Sequence, residues 1–191
     1  MQELKQSKFL SKELLSIVVS YLTDEELAYI RSHGNDDSKN IARIELLKRY
    51  EQLTPMDKKT LFTAVHMFCP NPTGAIRIYG PIELWDISGV TDMSYIFSNF
   101  IGFNADISNW DVSNVTNMFK LFYNTKAFNQ DISKWDVSSV KDMSYMFSGA
   151  KSFNQPLDKW DVSSVTNMSG MFMSASSFNQ QLDSWDVSSV T

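Results

Sequence analysis

Five tryptophans, Trp85, Trp110, Trp135, Trp160 and Trp185, are separated by one constant step. The same step carries Phe103-Asn104 to Phe128-Asn129, Phe153-Asn154 and Phe178-Asn179. Met93, Met118, Met143 and Met168 keep it, as do Phe97, Phe122, Phe147 and Phe172. Val90, Val115, Val140, Val165 and Val190 complete the frame. A fixed period of this length restricts the chain to an array, because one unit cannot bury its apolar face without neighbours. A unit this short cannot hold a propeller blade or a helical pair. It fits one strand, one helix and two turns.

In Leu157-Asp-Lys-Trp160-Asp-Val162, the residues Trp160 and Val162 share one face of an expected strand. The spacing Leu157-x-x-Trp160-x-Val162 is that of the leucine-rich-repeat strand. Val165, Met168, Met171 and Phe172 then follow i, i+3, i+6, i+7, which predicts a short helix capped by Ser163. Phe178 and Leu182 close the back of the coil. The expected fold class is α/β, a leucine-rich-repeat-like solenoid of strand–helix coils with an N-terminal helical cap.

The string from Trp135 to Gln155, Trp-Asp-Val-Ser-Ser-Val-Lys-Asp-Met-Ser-Tyr-Met-Phe-Ser-Gly-Ala-Lys-Ser-Phe-Asn-Gln, resembles the BspA-like, mycoplasma-lipoprotein-type repeat. The resemblance covers residues 82–191. That family is grouped with leucine-rich repeats and occurs in bacterial surface proteins, protists and large DNA viruses. The resemblance implies a binding or scaffold role and no chemistry.

The composition changes near Pro70-Asn71-Pro72-Thr73-Gly74. Residues 1–80 carry 11 basic and 10 acidic side chains, and residues 81–191 carry 6 and 12. The expected domains are therefore a helical cap over 1–72 and the repeats over 73–191, with Ala75–Tyr79 as an extra strand opening the sheet. Ser11 caps an amphipathic helix through Leu14, Leu15, Val18, Val19 and Leu22. Thr23-Asp-Glu-Glu26 is a capping box for a second helix through Leu27 and Ile30, ended by Gly34. Ser38 opens a third helix carrying Ile41, Ile44, Leu47 and Tyr50. Thr54-Pro55-Met-Asp57 opens a fourth, with Pro55 at the first helical position and Leu61, Phe62, Val65 and Phe68 inward. The segment from Phe9 to Leu27 resembles the start of an F-box, the module that docks on the Skp1 adaptor of ubiquitin ligases. The resemblance implies docking through Leu10, Leu14, Leu15, Val18 and Leu22. The same stripe equally serves as a cap that packs on the first coil.

Asp86, Asp111, Asp136, Asp161 and Asp186 alternate with inward residues and form an exposed column. Three readings stand for it: hydrogen bonds from Ser113, Ser138 or Ser163, contact with a basic partner, and metal binding. Lys134 and Lys159 vary in the position before tryptophan, so the expected partner-binding face is Asp111, Lys134, Asp136, Lys159 and Asp161. The repeating asparagines are expected as turn ladders, and the methionine, phenylalanine and tryptophan columns as core.

The other signals exclude function classes. The chain of 191 residues has a net charge of −5, which argues against nucleic-acid binding. Cys69 is the only cysteine and His33 and His66 the only histidines, too few for a zinc site. His66 and Cys69 are placed in core or cap rather than as a nucleophilic pair. No window approaches the ~18–20 apolar residues of a membrane span, and the first residues lack a signal-peptide core. The expected location is intracellular, in cytoplasm, nucleus or a virion. No cofactor, metal, nucleic acid or membrane is expected. The expected function is non-enzymatic protein binding by the repeats, with an F-box-like adaptor as its specific form. A structural subunit of a larger assembly such as a viral particle is the alternative, with neighbouring subunits as partners. A surface adhesin stands third.

Overall fold

The computed structural model describes residues 23–34, 36–49 and 55–191. The chain divides into two compact units, Met1–Leu53 and Thr54–Thr191. In the first unit, α1 (Asp24–His33) and α2 (Asp36–Arg49) pack together. The capping box forms as expected: the Thr23 side chain accepts from the Glu26 N–H at 3.3 Å, and the Thr23 N–H donates to Glu26 Oε2 at 2.9 Å. Leu27 and Ile30 are buried. The Gly34 N–H closes α1 on the Ile30 carbonyl at 2.6 Å. The Ser11 helix and its stripe Leu10, Leu14, Leu15, Val18 and Leu22 lie outside the described residues.

In the second unit, α3 (Lys58–Phe68) and α4 (Pro72–Tyr79) precede a short 3-10 turn, Ile82–Leu84. Asp57, not a residue before Pro55, caps α3, accepting from the Thr60 N–H at 2.7 Å. Leu61, Ala64, Val65 and Phe68 face the core, while Phe62 is exposed. The expected strand at Ala75–Tyr79 is instead α4. Asn71 caps it, Pro72 takes its first turn, and Gly80, at φ 73°, ends it.

The repeats are not strand–helix coils. Among the described residues they contain no helix beyond the 3-10 turn and no strand. One parallel bridge joins each pair of neighbours: Asp92 with Asn117, Asn117 with Asp142, and Asp142 with Asn167. We number the coils from the apolar residue preceding each tryptophan: 82–106, 107–131, 132–156 and 157–181, with 182–191 opening a fifth.

Where a helix is expected, the backbone runs through overlapping turns. In coil one, the amides of Ile96, Ser98, Phe100 and Phe103 donate to the carbonyls of Met93, Tyr95, Phe97 and Phe100. Tyr95 and Asn99 take φ 64° and 66°, which no α-helix accommodates. The alternate amides point along the stack. Those of Met93, Tyr95, Phe97 and Asn99 donate to Asn117, Phe119, Leu121 and Tyr123 in coil two at 2.8–3.0 Å. The pattern repeats into coils three and four. Chained turns of this kind return to the same side at every third position, much as a helix does, so the apolar spacing matched both. The left-handed residues cost about 1–2 kcal/mol each, and the inter-coil hydrogen bonds offset that cost.

Where a strand is expected, the inward–outward alternation holds but no sheet forms. Trp110 and Val112 are buried and Asp111 is exposed. The donors here are consumed locally: Trp110 N–H by Ile107, and Ser113 N–H by Asp111 Oδ1. The indole makes the inter-coil joint instead. Nε1–H of Trp110, Trp135, Trp160 and Trp185 donates to Ile82, Ile107, Ile132 and Leu157, each one coil back, at 2.8–3.1 Å.

The core is a set of stacked ring columns. Phe97, Phe122, Phe147 and Phe172 lie 5.4–5.7 Å apart within 11° of parallel. A second column, Phe103, Phe128, Phe153 and Phe178, packs against the first at 3.9–4.2 Å. Helix α3 covers the first coil. Leu61, Val65 and Phe68 join the same core as Trp85, and Lys58 Nζ reaches Asp92 and Ser94 at 2.7 Å.

Candidate functional site

The aspartate column is exposed, as its alternation requires, and each carboxylate closes a two-residue turn. Asp111, Asp136 and Asp161 accept from both the N–H and the hydroxyl of Ser113, Ser138 and Ser163 at 2.6–3.1 Å. These bonds hold the Asp111 and Asp161 carboxyls below the usual carboxylate range. The Asp131 carboxyl is lowered first by the Ser133 hydrogen bonds, and the charges of Lys134 and Lys159 add a smaller lowering. Among the described residues, no cluster of three histidine, cysteine or acidic side chains is arranged to hold a metal.

The asparagines form ladders between coils. The amides of Asn129, Asn154 and Asn179 donate to Oδ1 of Asn104, Asn129 and Asn154 at 2.8–2.9 Å. His66 stacks on Phe62 at 3.8 Å and meets Phe100 edge-on at 4.9 Å. Burial pushes the Cys69 thiol up to about 12, which withholds the thiolate that nucleophilic chemistry needs. Cys69 lines a groove of about 580 Å³ with Phe68, Pro72, Phe100 and Ile101, beside the first coil.

The most distinctive surface lies on coil two, in the turn run. Three frame positions there read Ser94, Ser144 and Ser169; Tyr95, Tyr145 and Gly170; and Ser98, Ser148 and Met173 in the other coils. Coil two carries Phe119, Lys120 and Tyr123 at these places. All three departures meet in one cluster with Tyr95 and Tyr145 from the flanking coils. Lys120 Nζ stands 5.7, 5.0, 5.2 and 5.4 Å from the ring centroids of Tyr95, Phe119, Tyr123 and Tyr145. The Tyr95 ring meets Phe119 edge-on at 5.1 Å, and Phe119 meets Tyr145 likewise at 6.4 Å.

Backbone conformation sets this cluster. Tyr95, Lys120 and Tyr145 share the left-handed position of their turns, at φ 64°, 53° and 55°. Inter-coil hydrogen bonds hold the three in register, Tyr95 N–H to Phe119 and Lys120 N–H to Ser144, both at 3.0 Å. Each ring presents a negative face to the ammonium. Among the described residues no carboxylate pairs with Lys120. The alternation rule pointed to the aspartate face and missed this surface. The signal that finds it is the lapse of the repeat at residues 119, 120 and 123.

Residues 65–185 match the family described as "Mycoplasma protein of unknown function, DUF285". The chain belongs to this family. The match agrees with the mycoplasma-type repeat resemblance and covers most of the repeats. It begins beyond the F-box-like segment and gives that resemblance no support. No curated protein and no solved structure matched the chain. No helix among the described residues is long and apolar enough to cross a membrane.

Proposed function

We propose that the chain is a non-enzymatic protein-interaction module in which the stacked coils are a rigid scaffold and coil two carries the recognition surface. The observation that supports this is the confinement of Phe119, Lys120 and Tyr123 to one cluster with Tyr95 and Tyr145. Side chains that only build the array recur from coil to coil, as the buried columns do. Those three do not recur, and they are half-buried at the surface rather than in the core. Exposed aromatic side chains are enriched among interface anchors. The non-enzymatic part is supported by the commitments of the reactive groups: Asp111, Asp136 and Asp161 to turns, His66 to a ring stack, and Cys69 to a protonated thiol.

The test replaces coil two's residues with those of its neighbours. Phe119→Ser and Tyr123→Ser install side chains that other coils already accommodate, so the fold is retained. The full chain and this double variant are used to capture proteins from an extract of the encoding organism, with quantitative comparison. A partner retained by the full chain and lost by the variant is the expected result. Partners that the variant retains equally would overturn the assignment of coil two.

A further inference from the structure

We infer that the coil-two surface recognises a peptide segment that places a carboxylate on Lys120 and an apolar side chain beside it. The inference rests on the binding-surface reading above and supplies its chemistry. Four rings gather around the Lys120 ammonium at 5.0–5.7 Å without neutralising its charge. Ring faces attract a cation, but they accept no strong hydrogen bond from its N–H groups. An incoming carboxylate supplies charge-assisted hydrogen bonds to this half-buried lysine. Among the described residues, no carboxylate pairs with Lys120.

The surroundings define the rest of the ligand. Tyr95, whose ring stands 5.7 Å from the Lys120 ammonium, is 45 % exposed. It offers apolar contact beside the charge, so an acidic residue next to an aromatic or aliphatic one fits. The net charge of −5 repels acidic segments at long range, which places the whole preference on local contact. A basic segment meets repulsion both at Lys120 and from loss of the ring contacts that ammonium already occupies.

A random peptide library displayed on phage, panned against the full chain, tests this. The expected peptides carry Asp or Glu next to an aromatic or aliphatic residue. Lys120→Tyr, the residue found at this position in two other coils, should weaken a selected peptide by about tenfold, the loss of one charge-assisted hydrogen bond. Lys120→Glu should lose it entirely, with the folded circular-dichroism signal of both variants retained. Peptides that Phe119→Ser weakens, but that lack acidic residues or bind Lys120→Tyr equally, would overturn the inference and leave the surface reading standing. Peptides indifferent to Phe119→Ser and Tyr123→Ser, or no peptides at all, would overturn both.

Discussion

The Trp135 indole donates to the Ile107 carbonyl, one coil back, at 3.1 Å, and both groups are buried. The aromatic column is thus also a column of hydrogen bonds. Each tryptophan fills space in its own coil and satisfies a carbonyl in the previous one.

Replacing Trp135 with Phe removes one of the two hydrogen bonds that the Ile107 carbonyl accepts, the one from the Trp110 N–H remaining, and opens a void. We expect a loss of about 2 kcal/mol or more in unfolding free energy, read by chemical denaturation. Trp185→Phe should cost less, because Trp185 is only half-buried. Equal losses at both positions would contradict the stacking account.

Gly149 sits at φ 75°, where an added Cβ would also stand 3.3 Å from Asn124 Cα. Gly149→Ala should destabilise by about 1–2 kcal/mol. Gly102 has open space around its Cβ direction. Gly102→Ala should change stability by no more than about 0.5 kcal/mol. The contrast is read from paired denaturation curves.

Acid should loosen the array from its capped end. Burial acts to raise the Asp92 carboxyl, but the hydrogen bond from Lys58, those from Ser94 and the Lys58 charge bring it below its ordinary value. A carboxyl lowered in the folded state adds stability above its unfolded value of ~3.8 and loses it as pH falls through the folded value. Asp111 and Asp131 are lowered in the same sense, by their serine partners. Unfolding free energy should therefore fall as pH drops below about 5. Lys58→Met should flatten part of that dependence. A profile that Lys58→Met leaves untouched would contradict the cap contact.

The Cys69 thiol, pushed up to about 12 by burial, should react slowly with iodoacetamide at mildly alkaline pH and rapidly after denaturation. Equal rates in the two states would show that the groove does not shield it.

The period and the inside–outside pattern were legible in the sequence. Trp160 and Val162 inward with Asp161 outward, the phenylalanine columns and the Thr23–Glu26 box all stand where their spacing put them. The backbone path was harder to read, because chained turns and helices bring nearly the same positions to one side. The discriminating signal sat at two frame positions. One reads Asn99, Asn124, Gly149 and Ser174, of which the two asparagines and the glycine are suited to positive φ. The other reads Tyr95, Lys120, Tyr145 and Gly170, whose bulky members disguise a left-handed site. For α4, the alternation of Ala75, Ile76 and Ile78 hid the stronger signal of Asn71 as cap and Pro72 behind it. The coil-two cluster escaped because periodicity reports what repeats, and Phe119, Lys120 and Tyr123 do not.

The most direct test of the architecture is detection of hydrogen-bond scalar couplings by nuclear magnetic resonance. The Phe122 amide donates to the Met146 carbonyl in the next coil at 2.9 Å. The account predicts a cross-peak from the Phe122 nitrogen to the Met146 carbonyl carbon. A cross-peak to Met118 instead, the i−4 partner within the same coil, would mean that the segment is a helix and would contradict the account.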